Sequence, residues 1–505
     1  MIPSDTMTGL GQRIQQHLDR IGAIGREPEG WSRLAFSSEE DAVHEYAAGV
    51  LEQLGCQISR DAFGNLTGML PGSVDAAAPV MLGTHLDTVR NGGNYDGVVG
   101  FIVAVEAVRE LLGGGSRPNL VIAVFRAEES TRFQKACLGS RAAFLGLDGR
   151  TLKLSGGVPG RMTITLAQAV SDAGGAPDRL AQPTLGRLGC QAYFETHIEQ
   201  ARVLELVLGL DGTGDLDSPP PLIGIVTSIR APHRCEWEVS GPRSVGLFAR
   251  CVIATETAAV LANRMGLDAV ATVGRVDHFF HGADKINAVP GRVEFPLVDL
   301  SEEALAQAGK VAAARGCRVE AVERNGARSL LVLGTTDHSG GTPMGIENRQ
   351  DALVAASEIV VQVQEIRTAP CDRIVFGTDV RSNSTTARDF VSRLLDRTFE
   401  AIEGLTEGAA RVEKILRTEL TEPLQCLNSR MQEMIATAAR DLGIRVEHLP
   451  SGAGHDAMMA AISGVPTAMM FIPSKGGLSH NPQEWSRNKD IAAAIQVQAQ
   501  ILRKF

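Results

Sequence analysis

Two largely apolar stretches, one opening with Val80-Met81-Leu82 and the other covering 119–125, bracket a Val-, Ile- and Ala-rich segment at 97–112 that stops at Gly113-Gly114-Gly115. The outer stretches read as strands and the middle one as a helix. Strands that are apolar on both faces and joined through a helix belong to a parallel sheet covered by helices on both sides. The pattern therefore predicts an α/β domain, with any ligand-binding residues at the carboxyl ends of its strands. The same style returns after Glu422, as a helix at 428–442 and strands at 445–448 and 467–472. Two alike flanks around a different middle predict a catalytic domain, 1–224 and 423–505, interrupted by an insertion.

Ahead of the first strand, Leu10, Ile14, Leu18 and Ile21 share one face of an expected helix at 9–22. A second helix starts at Ser37, with Glu40 placed to close a capping box, and runs to Gly55. Segment 146–189 is loop-rich, and 211–221, with three consecutive prolines, reads as a linker or loop. From 225 to 422 one α+β unit looks to be written twice, as lid copies at 225–328 and 329–422. Each copy offers strands and two helices, among them helices at 245–264 and 386–405 and strands at 269–276 and 373–380.

The bulk numbers exclude several function classes. With 505 residues, 44% of them hydrophobic, the chain can bury more than one core. A net charge of −10 and no Lys/Arg block give no footprint for nucleic acid or an anionic membrane, which points to small-molecule partners. The N-terminus lacks a signal-peptide layout, and no apolar run is expected to span a bilayer. Eight scattered cysteines without a C-x-x-C pair indicate reduced thiols and a cytoplasmic protein.

Four stations carry chemistry: His85/Asp87/Asp96, Glu128/Glu129, His197 and His480. Each follows or ends an apolar strand. Together they supply enough imidazoles and carboxylates for two metal ions sharing one carboxylate, with another carboxylate left as a base. Mixed ligands of this kind suit zinc, manganese, cobalt or nickel.

These stations resemble the M20-type metallo-amidohydrolases, in the branch of N-carbamoyl-L-amino acid hydrolases, ureidopropionases and allantoate amidohydrolases. The resemblance spans nearly the whole chain. It rests on Gly83-Thr84-His85-Leu86-Asp87-Thr88-Val89, Gly92-Gly93-Asn94-Tyr95-Asp96-Gly97, Glu128-Glu129-Ser130-Thr131-Arg132-Phe133, His197-Ile198-Glu199-Gln200, 451–457 and Ser479-His480. It implies two divalent ions per site. His85 and His197 would hold one, Glu129 and His480 the other, and Asp96 would bridge them. Asp87 would orient His85, as carboxylates beside metal-bound imidazoles do. A metal-bridged hydroxide would be the nucleophile and Glu128 the general base. Gln200 and His455 would lie among the substrate-binding residues.

The lid departs from the family. Its first copy keeps Asn287 before Ala288-Val289-Pro290-Gly291 but lacks the family's His segment, and its strand ends in Asp299-Leu300 instead of Arg. The second copy has Asp337-His338-Ser339-Gly340-Gly341-Thr342-Pro343-Met344 and Asp379-Val380-Arg381, but no equivalent Asn. The copies look like complementary halves of one lid, so a single chain would do what the family's dimer does, with a homodimer as the alternative. Asn287, His338 and Arg381 would meet the substrate. His338 would stabilise a developing oxyanion, an effect of roughly 3–4 kcal/mol for one donor, and Arg381 would clamp a carboxylate. The expected activity is hydrolysis of a linear amide or ureido C–N bond, not a peptide bond, in a small N-carbamoyl or N-acyl compound. A dipeptidase or aminoacylase, and a binding protein without catalysis, are the alternatives.

Overall fold

The computed structural model describes residues 4–72, 78–114, 117–158, 162–185, 189–209, 219–277, 279–280, 288–324, 327–335, 337–338, 344, 349–363 and 366–505. It divides into two compact units, Met1–Ile229 with Gln425–Phe505, and Arg230–Leu424. The boundaries fall after 229 and 424, against expected ones after 224 and 422; the first moves because strand Leu222–Ile229 belongs wholly to the first unit, where it pairs with Arg445–Ser451 and Thr467–Ile472. Most of the expected linker at 211–221 lies outside the described residues.

The first unit is built on a nine-stranded mixed sheet. Its centre is a parallel run in the order Thr467–Ile472, Ala192–Ile198, Val80–His85, Leu120–Phe125. Successive side chains of these strands enter different cores. Val80 and Leu82, with Leu120, Ile122 and Val124, face one side; Met81, with Val121, Ala123 and Phe125, faces the other. This period of two is what a strand buried on both faces requires. Each of the large aliphatic side chains contributes roughly 1.5–3 kcal/mol by leaving water.

Helix Val98–Leu112 packs against Ser4–Gly22 and Asn488–Leu502 on the first side. Leu138–Phe144 and Asp456–Ile462 pack together on the second. The first helix starts five residues earlier than its apolar spacing indicates. The carboxyl ends of all four parallel strands lie along one edge of the sheet, where the candidate residues follow.

The second unit corrects the reading of two successive lid copies. One four-stranded sheet takes Ala231–Ser240 and Ala269–Asp277 from the first copy, and Arg373–Ser382 and Arg411–Thr421 from the second. The other takes Arg292–Asp299 and Arg318–Arg324 from the first, and Ala327–Leu333 and Arg367–Thr368 from the second. Each copy thus divides its elements between two sheets. The expected boundary at 328/329 falls inside Ala327–Leu333, which pairs with Arg318–Arg324 in unbroken register. Arg324 and Ala327 are themselves paired, so the copies meet inside one sheet.

Helix Ser244–Arg264 corrects a second expectation, since by length and composition it could cross a membrane. Leu247, Phe248, Cys251 and Val252 are buried in the unit's own core, as in the central helix of a globular domain.

Candidate metal centre

His85 is the last residue of strand Val80–His85, and the chain returns to it at Asp96 through a left-handed Gly97 (φ 68°). A Cβ at Gly97 would stand 2.5 Å from the His85 carbonyl oxygen, so only glycine lets the loop close this tightly. His197 lies one residue from the end of Ala192–Ile198. Glu128 and Glu129 follow strand Leu120–Phe125 through Ala127, and His480 follows Thr467–Ile472; Ala127 and His480 adopt φ values of 54° and 60°. Non-glycine residues in that region cost energy, and such strain collects at functional sites.

These segments bring the five predicted ligands together. His197 Nε2 is 2.9 Å and His85 Nε2 3.3 Å from Asp96 Oδ1. His480 Nε2 is 3.0 Å from Glu129 Oε1 and 3.8 Å from Asp96 Oδ2. Two triplets result, His85/Asp96/His197 and Asp96/Glu129/His480, each with its ligand atoms within 4.8 Å of one another and all buried. His85 Nδ1 faces the Asp87 carbonyl oxygen at 3.1 Å, and His197 Nδ1 that of Ile198 at 2.9 Å. A carbonyl accepts but cannot donate, so each ring carries its proton on Nδ1 and presents Nε2 to the centre. Both triplets therefore fit a divalent cation with imidazole and carboxylate ligands.

The electrostatics agree with that fit. Burial pushes His85 toward neutrality, but Asp87 and Asp96 outweigh it and hold its pKa well above the usual value. Burial likewise opposes ionisation of Asp96, yet His197 and His85 hold its carboxyl well below the usual range. The pocket thus favours positive charge beside Asp96. Glu128 behaves oppositely. Burial raises its pKa well above the ordinary value, Glu129, Asp456 and Asp87 add to the rise, and His85 opposes it. A carboxyl so raised holds a proton more readily than an ordinary one, as a group that takes up and returns a proton must.

A supporting layer fixes these groups. The Asp87 carboxylate, 3.4 Å from His85 Nδ1, accepts the main-chain N–H groups of Glu128 (3.2 Å) and Glu129 (3.0 Å). Glu40 accepts from Phe36 N, Ala127 N and the Arg126 guanidinium. Ser37 does cap its helix through Glu40 N, but Glu40 does not return the bond to Ser37; it steadies the turn before Glu128. The Cys137 thiol donates to Glu128 Oε1 at 3.2 Å and leaves the other oxygen unengaged by it. Nothing local in the sequence marks Cys137, which meets Glu128 only because 126–128 and 137–139 close a loop through main-chain bonds.

The other predicted site residues have contacts of their own. Gln200 Nε2 donates to Asp96 Oδ2 (2.8 Å) and lies 2.7 Å from Ser479 Oγ, so its amide is engaged in holding the shared carboxylate. His455 packs edge-on to His197, with ring centroids 4.6 Å apart, and its Nε2 lies 2.8 Å from Ser451 Oγ. Arg381 is buried in the second unit, where it pairs with Asp379 at 2.8 Å. The main chain of His338 pairs with that of Ala288 in a two-residue bridge. The His338 side chain and all of Asn287 lie outside the described residues.

Residues 81–504 match the model of peptidase family M20/M25/M40. Among curated proteins, the N-carbamoyl-L-amino acid amidohydrolase of Geobacillus stearothermophilus is 29% identical over 491 residues, covering 96% of each chain. The allantoate amidohydrolase of Escherichia coli is 25% identical over 514 residues, covering 98% of each. Among solved structures, an amidase of the hydantoinase/carbamoylase family from Burkholderia vietnamiensis shares the fold, with a TM-score of 0.65 and 22% identity over 98% of this chain and 97% of that one.

Proposed function

The chain belongs to peptidase family M20/M25/M40, and from that premise we propose that it is a dinuclear metal-dependent hydrolase of a linear amide or ureido C–N bond, other than a peptide bond, in a small N-carbamoyl or N-acyl compound. The observation that carries the proposal is the pair of ligand triplets sharing Asp96, beside a buried Glu128 that belongs to neither. The similarity to proteins named for N-carbamoyl-L-amino acids and for allantoate supports the bond class.

Divalent ions held there would polarise the scissile carbonyl and acidify a water. Glu128 takes the proton released as that water attacks and returns it to the leaving nitrogen. Its raised pKa and single thiol partner favour such two-way traffic. Asp87 positions Glu128 and Glu129 relative to His85, and Gln200 with Ser479 holds Asp96. Asn287, His338 and Arg381 meet the substrate in this reading, on the strength of their sequence segments. The chain acts as a monomer in this reading, with a homodimer as the alternative, and sedimentation as an obligate dimer would decide for the latter. A cytoplasmic setting belongs to the same reading.

The test is a hydrolysis panel of N-carbamoyl amino acids, ureidopropionate, allantoate, N-acyl amino acids and dipeptides on metal-reconstituted protein. Turnover of the carbamoyl or acyl compounds supports the proposal. Turnover of dipeptides alone refutes the bond class, and turnover of none refutes the enzyme.

A further inference from the structure

Three main-chain N–H groups from two distant segments converge on one buried side chain outside both ligand triplets. Glu484 Oε2 accepts the N–H groups of Tyr95 and Asp96, each at 3.2 Å. Its Oε1 accepts that of His480 at 2.8 Å. Asp96 is the ligand common to both triplets and His480 completes the second, yet the two lie at opposite ends of the chain. We propose that Glu484 is a positioning residue that sets the spacing between these ligand segments, so that the Asp96/Glu129/His480 half of the centre depends on its carboxylate. The inference rests on the dinuclear reading above.

Two further features fit this role. A Cβ at Gly93 would stand 2.1 Å from Glu484 Oε2 and 2.2 Å from its Cδ, so the loop entering Asp96 lies directly against the carboxylate and tolerates only glycine. His480 holds a left-handed φ of 60°, and Glu484 receives the N–H of that strained residue. A carboxylate suits this place because both of its oxygens accept. Glutamine in the same pose turns an NH2 toward one of the main-chain donors and forfeits either the Tyr95/Asp96 side or the His480 side. Partners that hold metal ligands in place typically govern affinity by 10–100-fold.

The experiment titrates full-length protein, stripped of metal by chelation, with cobalt(II). Calorimetry gives stoichiometry and affinity, visible absorption reports ligand geometry, and thermal unfolding of the metal-free forms reports folding. Wild type is expected to bind two ions. Glu484→Gln is expected to bind one of them at least 10-fold more weakly, with an altered absorption band, while its metal-free form still unfolds cooperatively, at a temperature lowered by the main-chain donor left facing an NH2. Gly93→Ala, whose Cβ would collide with the same carboxylate, is expected to reproduce the loss and decides the matter if Glu484→Gln does not fold. Unchanged cobalt affinity in the folded variant overturns the positioning role and leaves the dinuclear reading standing. Fewer than two ions in wild type overturns the dinuclear reading and this inference with it.

Discussion

Asp87 accepts the main-chain N–H of Glu129 at 3.0 Å, so a carboxylate that lies beside the His85 imidazole also fixes the backbone of Glu129, a candidate ligand that follows the neighbouring strand. Asp87→Asn keeps the shape but turns an NH2 toward a main-chain donor. Leaving a buried donor unsatisfied costs about 1–3 kcal/mol, and disturbing such support costs roughly 10–100-fold in metal affinity. Urea unfolding of the metal-free protein and metal titration should show both losses. A variant with wild-type metal affinity would deny Asp87 its part.

In the proposed reaction Glu128 is the general base and belongs to neither candidate triplet, so Glu128→Gln would remove a proton acceptor without removing a candidate ligand. Turnover is expected to fall by about 10²–10⁴-fold while both ions bind as in wild type. Steady-state kinetics with metal analysis on the same samples checks this, and loss of one ion would reassign Glu128 as a ligand.

Glu106 gives a pH signature remote from the centre. Burial opposes its ionisation, but His17, Arg13 and Arg109 outweigh burial and bring its pKa from 4.5 to about 2. A depressed folded-state pKa contributes stability above pH 4.5 that disappears as pH falls toward 2. The difference amounts to on the order of 3 kcal/mol. Glu106→Gln should therefore be less stable than wild type at pH 7, with the gap closing between pH 4.5 and 2 in urea titrations. A constant gap would contradict the pairing.

Phe376 tests the divided lid copies. It is fully buried on Arg373–Ser382, 5.1 Å from Phe248 of the first copy and 6.0 Å from Phe399 of the second, between ring centroids. Phe376→Ala should destabilise the second unit by about 3–5 kcal/mol. A fragment of 225–328 alone should show no cooperative unfolding by circular dichroism, because it holds only half of each sheet. Cooperative folding of that fragment would favour independent copies.

Most of the centre was legible in the sequence because each ligand ends an apolar strand or follows a glycine-rich turn, and both signals are local. The parallel sheet was legible for the same reason, from strands apolar on both faces. Sheet membership in the second unit was not. Periodicity identifies 329–333 and 373–380 as strands, but strand pairing is a long-range choice that no window of sequence contains. Glu484 escaped notice because it lies in Asn481-Pro482-Gln483-Glu484-Trp485, with no apolar strand before it, and gains its meaning from main-chain donors hundreds of residues away. Gln200 was placed near the centre, but its engagement with Asp96 and Ser479 follows from how three loops meet.

The central claim is that Asp96 is one carboxylate serving two ions, and metal binding tests it most directly. Calorimetric titration of metal-free protein with manganese(II) or zinc(II) should give two ions per chain in wild type. Asp96→Ala should lose high-affinity binding of both, because each triplet loses a member at once. One ion in wild type, or two retained in Asp96→Ala, would contradict the account.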